Sequence, residues 1–258
     1  METEIDNISN LRTDTGKNNI VVELKHLKKS FNGNHVLVDI NLKLVKGENL
    51  VILGKSGSGK SVLIKCLVRL IDPDEGELIV FDKNISDLNN NELNDVRKKI
   101  GFLFQSGALY DSMSVRENLE FPLRGKKKLS KEEINELVEK SLADVGLSGA
   151  IDKMPAELSG GMRKRLGLAR TMILKPEIML YDEPTTGLDP ITAKEISKLI
   201  LEVQKKNNTS SIIITHDIEC ARITANRIIL LKNGLFIKEG TFKELSESTD
   251  EWVSSFFK

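Results

Sequence analysis

The chain has 258 residues, of which 38 are Lys or Arg and 38 are Asp or Glu, so its formal net charge is zero. This balance excludes a chain-wide basic field, and no nucleic acid partner is expected. With 40% apolar and 29% charged residues, a largely disordered chain is excluded and a folded core is predicted.

The start of the chain and its cysteines predict a cytosolic protein. Residues 1–19 are polar and contain no apolar stretch, so we expect a flexible tail rather than a secretory signal. Cys66 and Cys220 have no partner at CxxC or metal-ligand spacing, which indicates reduced, buried thiols. The longest apolar runs have the length of a strand, far below the roughly 20 residues that span a bilayer. We therefore expect a chain that does not itself cross a membrane.

The part that follows the tail predicts a β-rich region. Its apolar or alternating segments are separated by the turn signals Asn32-Gly33 and Lys46-Gly47. Residues 61–71 then show helical spacing, and Asp72-Pro73 is expected to end that helix. The predicted strands cover residues 20–31, 36–44, 48–54 and 76–81.

Residues 86–158 are rich in Asn and Lys and predict a helical insertion. Ser130 and Glu133 form a capping-box pattern before apolar positions that repeat at helical spacing. Two short basic runs, at 126–128 and 163–165, are interpreted as solvated faces because the chain has no net charge.

Beyond Gly161, predicted helices and strands alternate, which indicates a parallel sheet with right-handed crossovers. The predicted helices cover 162–174, 191–206 and 218–225, the strands 177–182 and 211–215, and a hairpin 227–240. We therefore expect one α/β domain over residues 20–245, with a helical subdomain at about 88–160.

Residues 246–258 are a short C-terminal extension. Its aromatic side chains favour packing against the body or a partner, and they are Trp252, Phe256 and Phe257.

The segment GKSGSGKS lies between a predicted strand and a predicted helix and fits the phosphate-binding pattern GxxxxGK[ST]. Its glycines allow backbone N–H groups to face a phosphate chain, and the following helix adds partial positive charge. Lys60 is expected to reach the β- and γ-phosphates and Ser61 to ligate Mg²⁺. The alternative is a simple glycine turn before a helix. The predicted nucleotide-binding residues are Gly54, Lys55, Ser56, Gly57, Ser58, Gly59, Lys60 and Ser61.

Two further segments carry candidate chemistry. EIMLYDE, at 177–183, is an apolar strand that ends in two carboxylates, with Asp182 as a Mg²⁺ ligand and Glu183 placed for an attacking water. LSGGMRKR, at 158–165, opens a helix with a serine and two glycines and predicts a second anion site. One chain needs one phosphate loop per nucleotide, so the second site requires a separate explanation.

In this order, GKSGSGKS, Gln105, LSGGM, EIMLYDEPTTGLD and THD resemble the nucleotide-binding domain of ABC transporters, over about residues 20–240. The resemblance implies a P-loop NTPase fold, in which a RecA-like parallel sheet carries an N-terminal antiparallel β subdomain and an inserted α-helical subdomain. It implies ATP and Mg²⁺ as cofactors. It also implies a second ATPase subunit, because the signature of one protomer closes over the γ-phosphate held by the other.

The same resemblance implies roles for individual residues. Phe31 is implied to stack on adenine, although a phenylalanine in a strand is also an ordinary core residue. Gln105 is implied to link Mg²⁺ to the helical insertion, and His216 to sense the γ-phosphate. Met162 departs from the common glutamine and offers no amide. The implied signature is Ser159, Gly160 and Gly161, the D-loop residue is Asp189, the catalytic set is Glu183, His216, Lys60 and Gln105, and the metal set is Ser61, Gln105 and Asp182.

The stretch GALYDSMSVRENLEFPL after Gln105 and the run Asp189-Pro190-Ile191-Thr192 resemble the ATPases of MCE-linked, Mla-type phospholipid transporters. That resemblance implies an integral membrane permease, an MCE-domain lipid-binding protein, and a place at the cytoplasmic face of the inner membrane. Part of the apolar surface after Gln105 is then expected to contact the permease. An amino-acid importer ATPase and a soluble ATPase of the iron–sulfur assembly type stay as alternatives.

Overall fold

The computed structural model describes residues 19–125 and 129–257. Residues 1–18 of the expected tail and the basic run at 126–128 lie outside the described residues. The strands are β1 Ile20–Phe31, β2 Asn34–Val45, β3 Asn49–Leu53, β4 Glu75–Val80, β5 Lys83–Asn84, β6 Ile100–Leu103, β7 Ile178–Asp182, β8 Ser210–Thr215, β9 Arg227–Lys232 and β10 Leu235–Gly240. The helices are α1 Lys60–Leu67, α2 Asn90–Arg97, α3 Val115–Glu120, α4 Lys131–Asp144, α5 Gly160–Met172, α6 Pro190–Asn207, α7 Ile218–Thr224, α8 Phe242–Ser246 and α9 Glu251–Ser254.

The N-terminal layer is a four-stranded sheet in the order β2-β1-β4-β5. All its strand pairs are antiparallel, which confirms the expected antiparallel subdomain. Asn32 and Gly33 join β1 to β2 with φ values of 49° and 82°, as a tight hairpin turn requires. Leu24 and Leu78 are register partners and pack into the core that this sheet shares with α1.

The second sheet has six strands in the order β10-β9-β3-β8-β7-β6. Its strand pairs are parallel except for the β9–β10 hairpin, as the alternating pattern predicts. Leu50 and Ile52 face one core, whereas Val51 and Leu53 face the other. Strand β3 is therefore buried on both sides, which explains its continuous apolar run. The loops after β3, β7 and β8 meet at the carboxyl edge of the sheet, where open α/β sheets bind ligands.

The first part of the predicted helical subdomain, residues 90–103, contains α2 and β6. Strand β6 pairs with β7 as an edge strand of the large sheet. Leu93 and Val96 of α2 pack into the core shared by the two sheets. Most residues of α2 are exposed, which explains the Asn-rich composition of this region. Only Leu93 and Val96 of this helix are buried, so its apolar stripe is short.

The predicted capping box of α4 is present. Ser130 Oγ accepts from the Glu133 backbone N–H at 3.2 Å, and Glu133 Oε2 accepts from the Ser130 N–H at 2.7 Å. Val138 and Leu142 are fully buried on the inner face of this helix. Local sequence therefore determines where α4 begins and which side it buries.

Helix α1 ends at Leu67, before the Asp72-Pro73 signal that the sequence provides. Arg69 has a φ of 52°, which is incompatible with a continued helix. The guanidinium of Arg97 donates to the carbonyl oxygens of Val68 at 2.9 Å and Arg69 at 2.8 Å. A side chain from α2 thus satisfies the end of α1, a contact that local spacing does not reveal.

Both cysteines are fully buried and free, as predicted. Burial raises the pKa of Cys66 to about 11 and that of Cys220 to about 12, so both thiols are protonated at neutral pH. Within residues 19–125 and 129–257, the helices are all too short or too polar to cross a bilayer.

Candidate nucleotide-binding site

The phosphate loop connects β3 to α1, and its backbone conformation depends on its glycines. Gly57 and Gly59 have φ values of 78° and 102°, which L side chains rarely adopt. A Cβ on Gly54 would lie 2.6 Å from Ser58 Oγ and 2.7 Å from the Leu231 carbonyl oxygen. Ser58 Oγ is itself buried without a hydrogen-bond partner among the described residues. Such a loop at a helix N-terminus is suited to anions.

Lys60 lies at the centre of this loop and is only 6% exposed. Its Nζ donates to the carbonyl oxygens of Gly54 at 2.7 Å and Lys55 at 3.1 Å. It is also 3.5 Å from Oε1 of Glu183. A buried ammonium is therefore held between the phosphate loop and the end of β7.

Ser61 and Asp182 form a second pair beside the loop. Ser61 Oγ donates to Asp182 Oδ1 at 3.1 Å. Burial raises the pKa of the Asp182 carboxyl, although the Ser61 hydrogen bond opposes this shift. The part of the chain that the structure describes has no cluster of three or more His, Cys, Asp or Glu able to hold a metal alone. A hydroxyl and one carboxylate fit Mg²⁺ that shares its remaining ligands with phosphates and water.

Glu183 follows β7 and has a φ of 49°, in the left-handed region. Its Oε2 lies 2.8 Å from His216 Nδ1 and accepts from the His216 backbone N–H at 3.3 Å. Thr186 Oγ1 donates to the same oxygen at 3.3 Å. With Lys60 near its other oxygen, the carboxylate is fixed on both sides and is 8% exposed. This arrangement suits a carboxylate that must hold a water molecule in one position.

A cavity of about 730 Å³ joins these groups. Asp182 adjoins the cavity through Ser61. Two C-terminal residues that sequence analysis does not place in the site, Ser255 and Phe256, also line it. The predicted site residues that line the cavity are Gly54, Lys55, Ser56, Gly57, Gly59, Lys60, Ser61, Gln105, Glu183 and His216.

The remaining predicted nucleotide contacts are not among the lining residues, and they are Phe31, Ser58, Ser159, Gly160, Gly161 and Asp189. Phe31 is 41% exposed at the end of β1, with Lys29 Nζ 5.2 Å from its ring centroid. The alternative that Phe31 is a core residue is therefore wrong. Its stacking on adenine stays a prediction.

The signature segment begins α5 and packs against α6. Ser159 caps α5 by accepting from the Met162 N–H at 3.2 Å. A Cβ on Gly161 would lie 2.5 Å from Thr192 Cγ2, so glycine is required there. Asp189 caps α6 and accepts from Thr192 Oγ1 at 2.6 Å. The signature and the Asp189 segment are thus in direct contact, and both lie outside the cavity of their own chain.

Sequence reasoning missed Lys164. The run 163–165 was expected to be solvated, and this is wrong for Lys164, which is 7% exposed. Its Nζ donates to the Gln105 carbonyl and lies 3.4 Å from the Glu183 carbonyl oxygen. Burial lowers its pKa, against the opposing effect of Asp182 and Glu183. The available signal was helical spacing, because positions 161, 164 and 168 share one face of α5 and are all buried.

Asn118 and Arg170 are further residues that sequence reasoning missed, and they organise the stretch after Gln105. The fully buried Asn118 amide accepts from the Tyr110 N–H at 2.9 Å and donates to the Tyr110, Met113 and Ser114 carbonyls at 2.9–3.1 Å. Arg170 donates to the Ala108 carbonyl and lies 4.5 Å from the Tyr110 ring centroid. The Tyr110 side chain is held in place yet stays 38% exposed.

Comparison with known proteins identifies the family. A model of the ABC transporter family matches residues 37–186. The probable ribonucleotide transport ATP-binding protein Mkl of Mycobacterium tuberculosis is 39% identical over 237 residues, which cover 92% of this chain. The chain spans 66% of the length of Mkl, slightly less than two thirds.

Two other curated relatives are named for different cargoes. The intermembrane phospholipid transport system ATP-binding protein MlaF of Haemophilus influenzae is 39% identical, covering 93% of this chain and 91% of its own length. The methionine import ATP-binding protein MetN of Clostridium tetani is 38% identical, covering 87% of this chain and 70% of its own length.

A solved structure shares the fold of the chain. The ATP-binding cassette MJ0796, a dimer in a post-hydrolysis state with ADP and Pi, superposes with a TM-score of 0.79 at 33% identity. The superposition covers 86% of this chain and 98% of the cassette. The family match, the sequence relatives and the shared fold agree with the motif geometry, and the chain belongs to the ABC transporter family, as its ATP-binding domain.

Proposed function

We propose that the chain binds and hydrolyses ATP as the ATP-binding subunit of a membrane transporter. One observation carries this proposal: a single cavity gathers the phosphate loop, the Ser61 hydroxyl beside Asp182, and a Glu183 carboxylate held between Lys60 and His216. These are the groups that bind a triphosphate, hold a metal and position a nucleophile.

The reaction follows from these positions. Mg²⁺, bound through Ser61 and Asp182, would offset charge on the β- and γ-phosphates, with Gln105 lining the same cavity. Lys60 places a fixed positive charge at the phosphate loop, where charge develops on the transferred group. Glu183 orients the attacking water and accepts its proton, the water oxygen bonds to the γ-phosphorus, and the bond from phosphorus to the bridging oxygen of ADP breaks. His216 keeps the carboxylate aimed through its 2.8 Å contact.

A second copy of the chain would complete the site. Ser159, Gly160 and Gly161 do not line the cavity of their own chain. They are placed at the start of α5, where a capped helix N-terminus presents partial positive charge. The dimeric state of the related MJ0796 cassette supports the pairing of two chains, each signature closing over the other's nucleotide.

For the cargo, we propose phospholipid or a related lipid, moved through a separate integral membrane permease together with an MCE-domain lipid-binding protein. The MlaF relative, named for intermembrane phospholipid transport, supports this choice. The MetN relative supports the alternative of an amino-acid importer. A soluble ATPase of the iron–sulfur assembly type stays a third candidate, because it too is a single cassette.

The permease contact and the location follow from the same proposal. Tyr110 and Met113 lie after Gln105, and Tyr110 presents an aromatic surface to solvent. Docked through this surface, the chain would lie at the cytoplasmic face of the inner membrane, peripheral to it. Val115, which lies in the same stretch, is fully buried and belongs to the core.

The test is purification of the tagged chain from its native membranes, followed by identification of the copurifying proteins and the bound lipid. A permease with an MCE-domain protein and phospholipid is the expected result. A solute-binding protein and no enriched lipid would replace the lipid cargo with a small solute. Soluble scaffold proteins without a permease would contradict the transport function.

A further inference from the structure

The C-terminal segment, residues 250–257, reaches the nucleotide cavity. Ser255 and Phe256 line it together with the phosphate loop, Glu183 and His216. Neither residue belongs to a phosphate-binding, metal-binding or signature motif. The sequence predicts only that this segment packs against the body or a partner.

The segment is fixed to the body of the domain by buried side chains. Leu245 of α8 and Val253 of α9 are each 1% exposed and share a core cluster with Cys220 of α7 and Leu230 of β9. Asp250 caps α9 by accepting from the backbone N–H groups of Trp252 and Val253 at 2.9 and 3.0 Å. The segment therefore has a defined position beside the strand edge that carries the phosphate loop.

Aromatic contacts distinguish the two phenylalanines of this segment. Phe257 packs edge-on against Phe242 with centroids 5.2 Å apart. Trp252 packs edge-on against Phe256 at 4.9 Å, and Lys232 Nζ lies 4.5 Å from the Trp252 ring centroid. The Phe256 ring therefore packs against Trp252, whereas the Phe257 ring packs against Phe242.

Phe256 is the one phenyl ring among the described residues that line the cavity. A phenyl ring offers no hydrogen bond to water, and covering it with a ligand removes apolar surface from solvent. Val36 and Ile218 add apolar surface to the same lining. The predicted aromatic contact, Phe31, lies outside it.

We infer that Phe256 contacts the bound nucleotide and contributes to its affinity, so that the C-terminal segment is part of the ATP site. The inference rests on the ATP-binding function proposed above. Because Phe256 contacts Trp252, the single tryptophan of the chain, nucleotide binding also alters the surroundings of that indole.

The test compares Phe256→Ala with Phe257→Ala in the full chain, by calorimetric titration with ATP. Phe256→Ala should raise the Kd for ATP by about three- to tenfold, from loss of one aromatic contact. Phe257→Ala removes a ring of the same size from the same segment and should leave the Kd within about twofold. Phe256→Leu retains apolar bulk and should recover part of the affinity. Thermal unfolding of each variant checks that it is folded.

Trp252 fluorescence gives a second readout that does not depend on turnover. ATP should change the emission of the wild-type chain and have a smaller effect on Phe256→Ala. Equal or tighter ATP binding by Phe256→Ala would overturn the inference, because the ring would then be neutral or an obstruction.

Lys60→Ala separates this inference from the proposed function. If the wild-type chain binds ATP and Lys60→Ala does not, the ATP site stands, and the Phe256 result alone decides the inference. Absence of ATP binding by the wild-type chain would overturn both.

Discussion

The Lys164 ammonium donates to the backbone carbonyl of Gln105 and so joins α5 to the loop after β6. The same Nζ lies 3.4 Å from the carbonyl oxygen of Glu183. One buried cation therefore connects the signature helix, the Gln105 loop and the strand end that carries the proposed base. Through this side chain, the signature helix contacts the backbone of the proposed hydrolytic site of its own chain.

Replacing Lys164 by Met should separate nucleotide binding from turnover. We expect ATPase activity to fall by about ten- to a hundredfold, because small displacements of catalytic groups have effects of this size. The melting temperature should change little, since a buried charge replaced by an apolar side chain of similar length is often neutral for stability. Phosphate release and thermal unfolding measure the two effects. Arg163→Met, at the exposed neighbouring position, is the control, and wild-type turnover in Lys164→Met would contradict the proposed link.

Glu183→Gln should keep ATP binding and stabilise a closed dimer. Turnover should fall by about 10²- to 10⁴-fold, the usual contribution of a general base. Phosphate release and size-exclusion chromatography with ATP are the measurements. Glu177→Gln, which alters a solvent-exposed carboxylate paired with Lys99, is the matched control. Near-normal ATPase activity in Glu183→Gln would remove this residue from the mechanism.

Gly161→Ala should destabilise the fold through a single clash. The new Cβ would meet Thr192 Cγ2 at 2.5 Å, and overpacking of this kind costs about 1–3 kcal/mol. Thr192→Ser removes that methyl group and retains the hydroxyl that contacts Asp189. The double variant should therefore recover much of the stability in denaturant titrations. An equal loss in Gly161→Ala with and without Thr192→Ser would show that the contact is not the cause.

Tyr110→Asp should weaken assembly with the permease and leave ATP binding by the isolated chain near normal. The side chain is exposed, so a charge there meets water in the free chain and an apolar partner in the complex. Copurification from membranes and ATP titration measure the two properties. Ser112→Asp, at a nearby exposed position, controls for added charge. If Tyr110→Asp assembled and transported like the wild type, this surface would not be the docking site.

Periodic segments were predicted well because their signal is local. The predicted strand 20–31 coincides with β1, and the capping box at Ser130 is present. Errors arose where a distant contact decides the outcome. Arg97 satisfies the early end of α1, and the pairing of β6 with β7 places a short strand in the large sheet. Neither contact can be recognised from the sequence of the neighbouring residues.

In the candidate site, too, local signals are predicted correctly and distant contacts are not. The phosphate loop and the pair Asp182 and Glu183 were found from motif chemistry and meet at one edge of the sheet. Phe256 has no motif, and its place depends on how the last two helices pack. Lys164 looked like a surface charge because composition says nothing about which side of a helix a lysine occupies.

Glu183 combines a left-handed backbone conformation with side-chain contacts that a glycine could not make. A non-glycine residue held in such a conformation costs on the order of 1–3 kcal/mol, which a glycine would not incur. Replacement by glycine would relieve this strain but would leave the buried Lys60 ammonium without the carboxylate oxygen that lies 3.5 Å away. Stability and turnover are therefore coupled at this residue, because the contacts that hold the carboxylate proposed to activate water also offset the backbone strain.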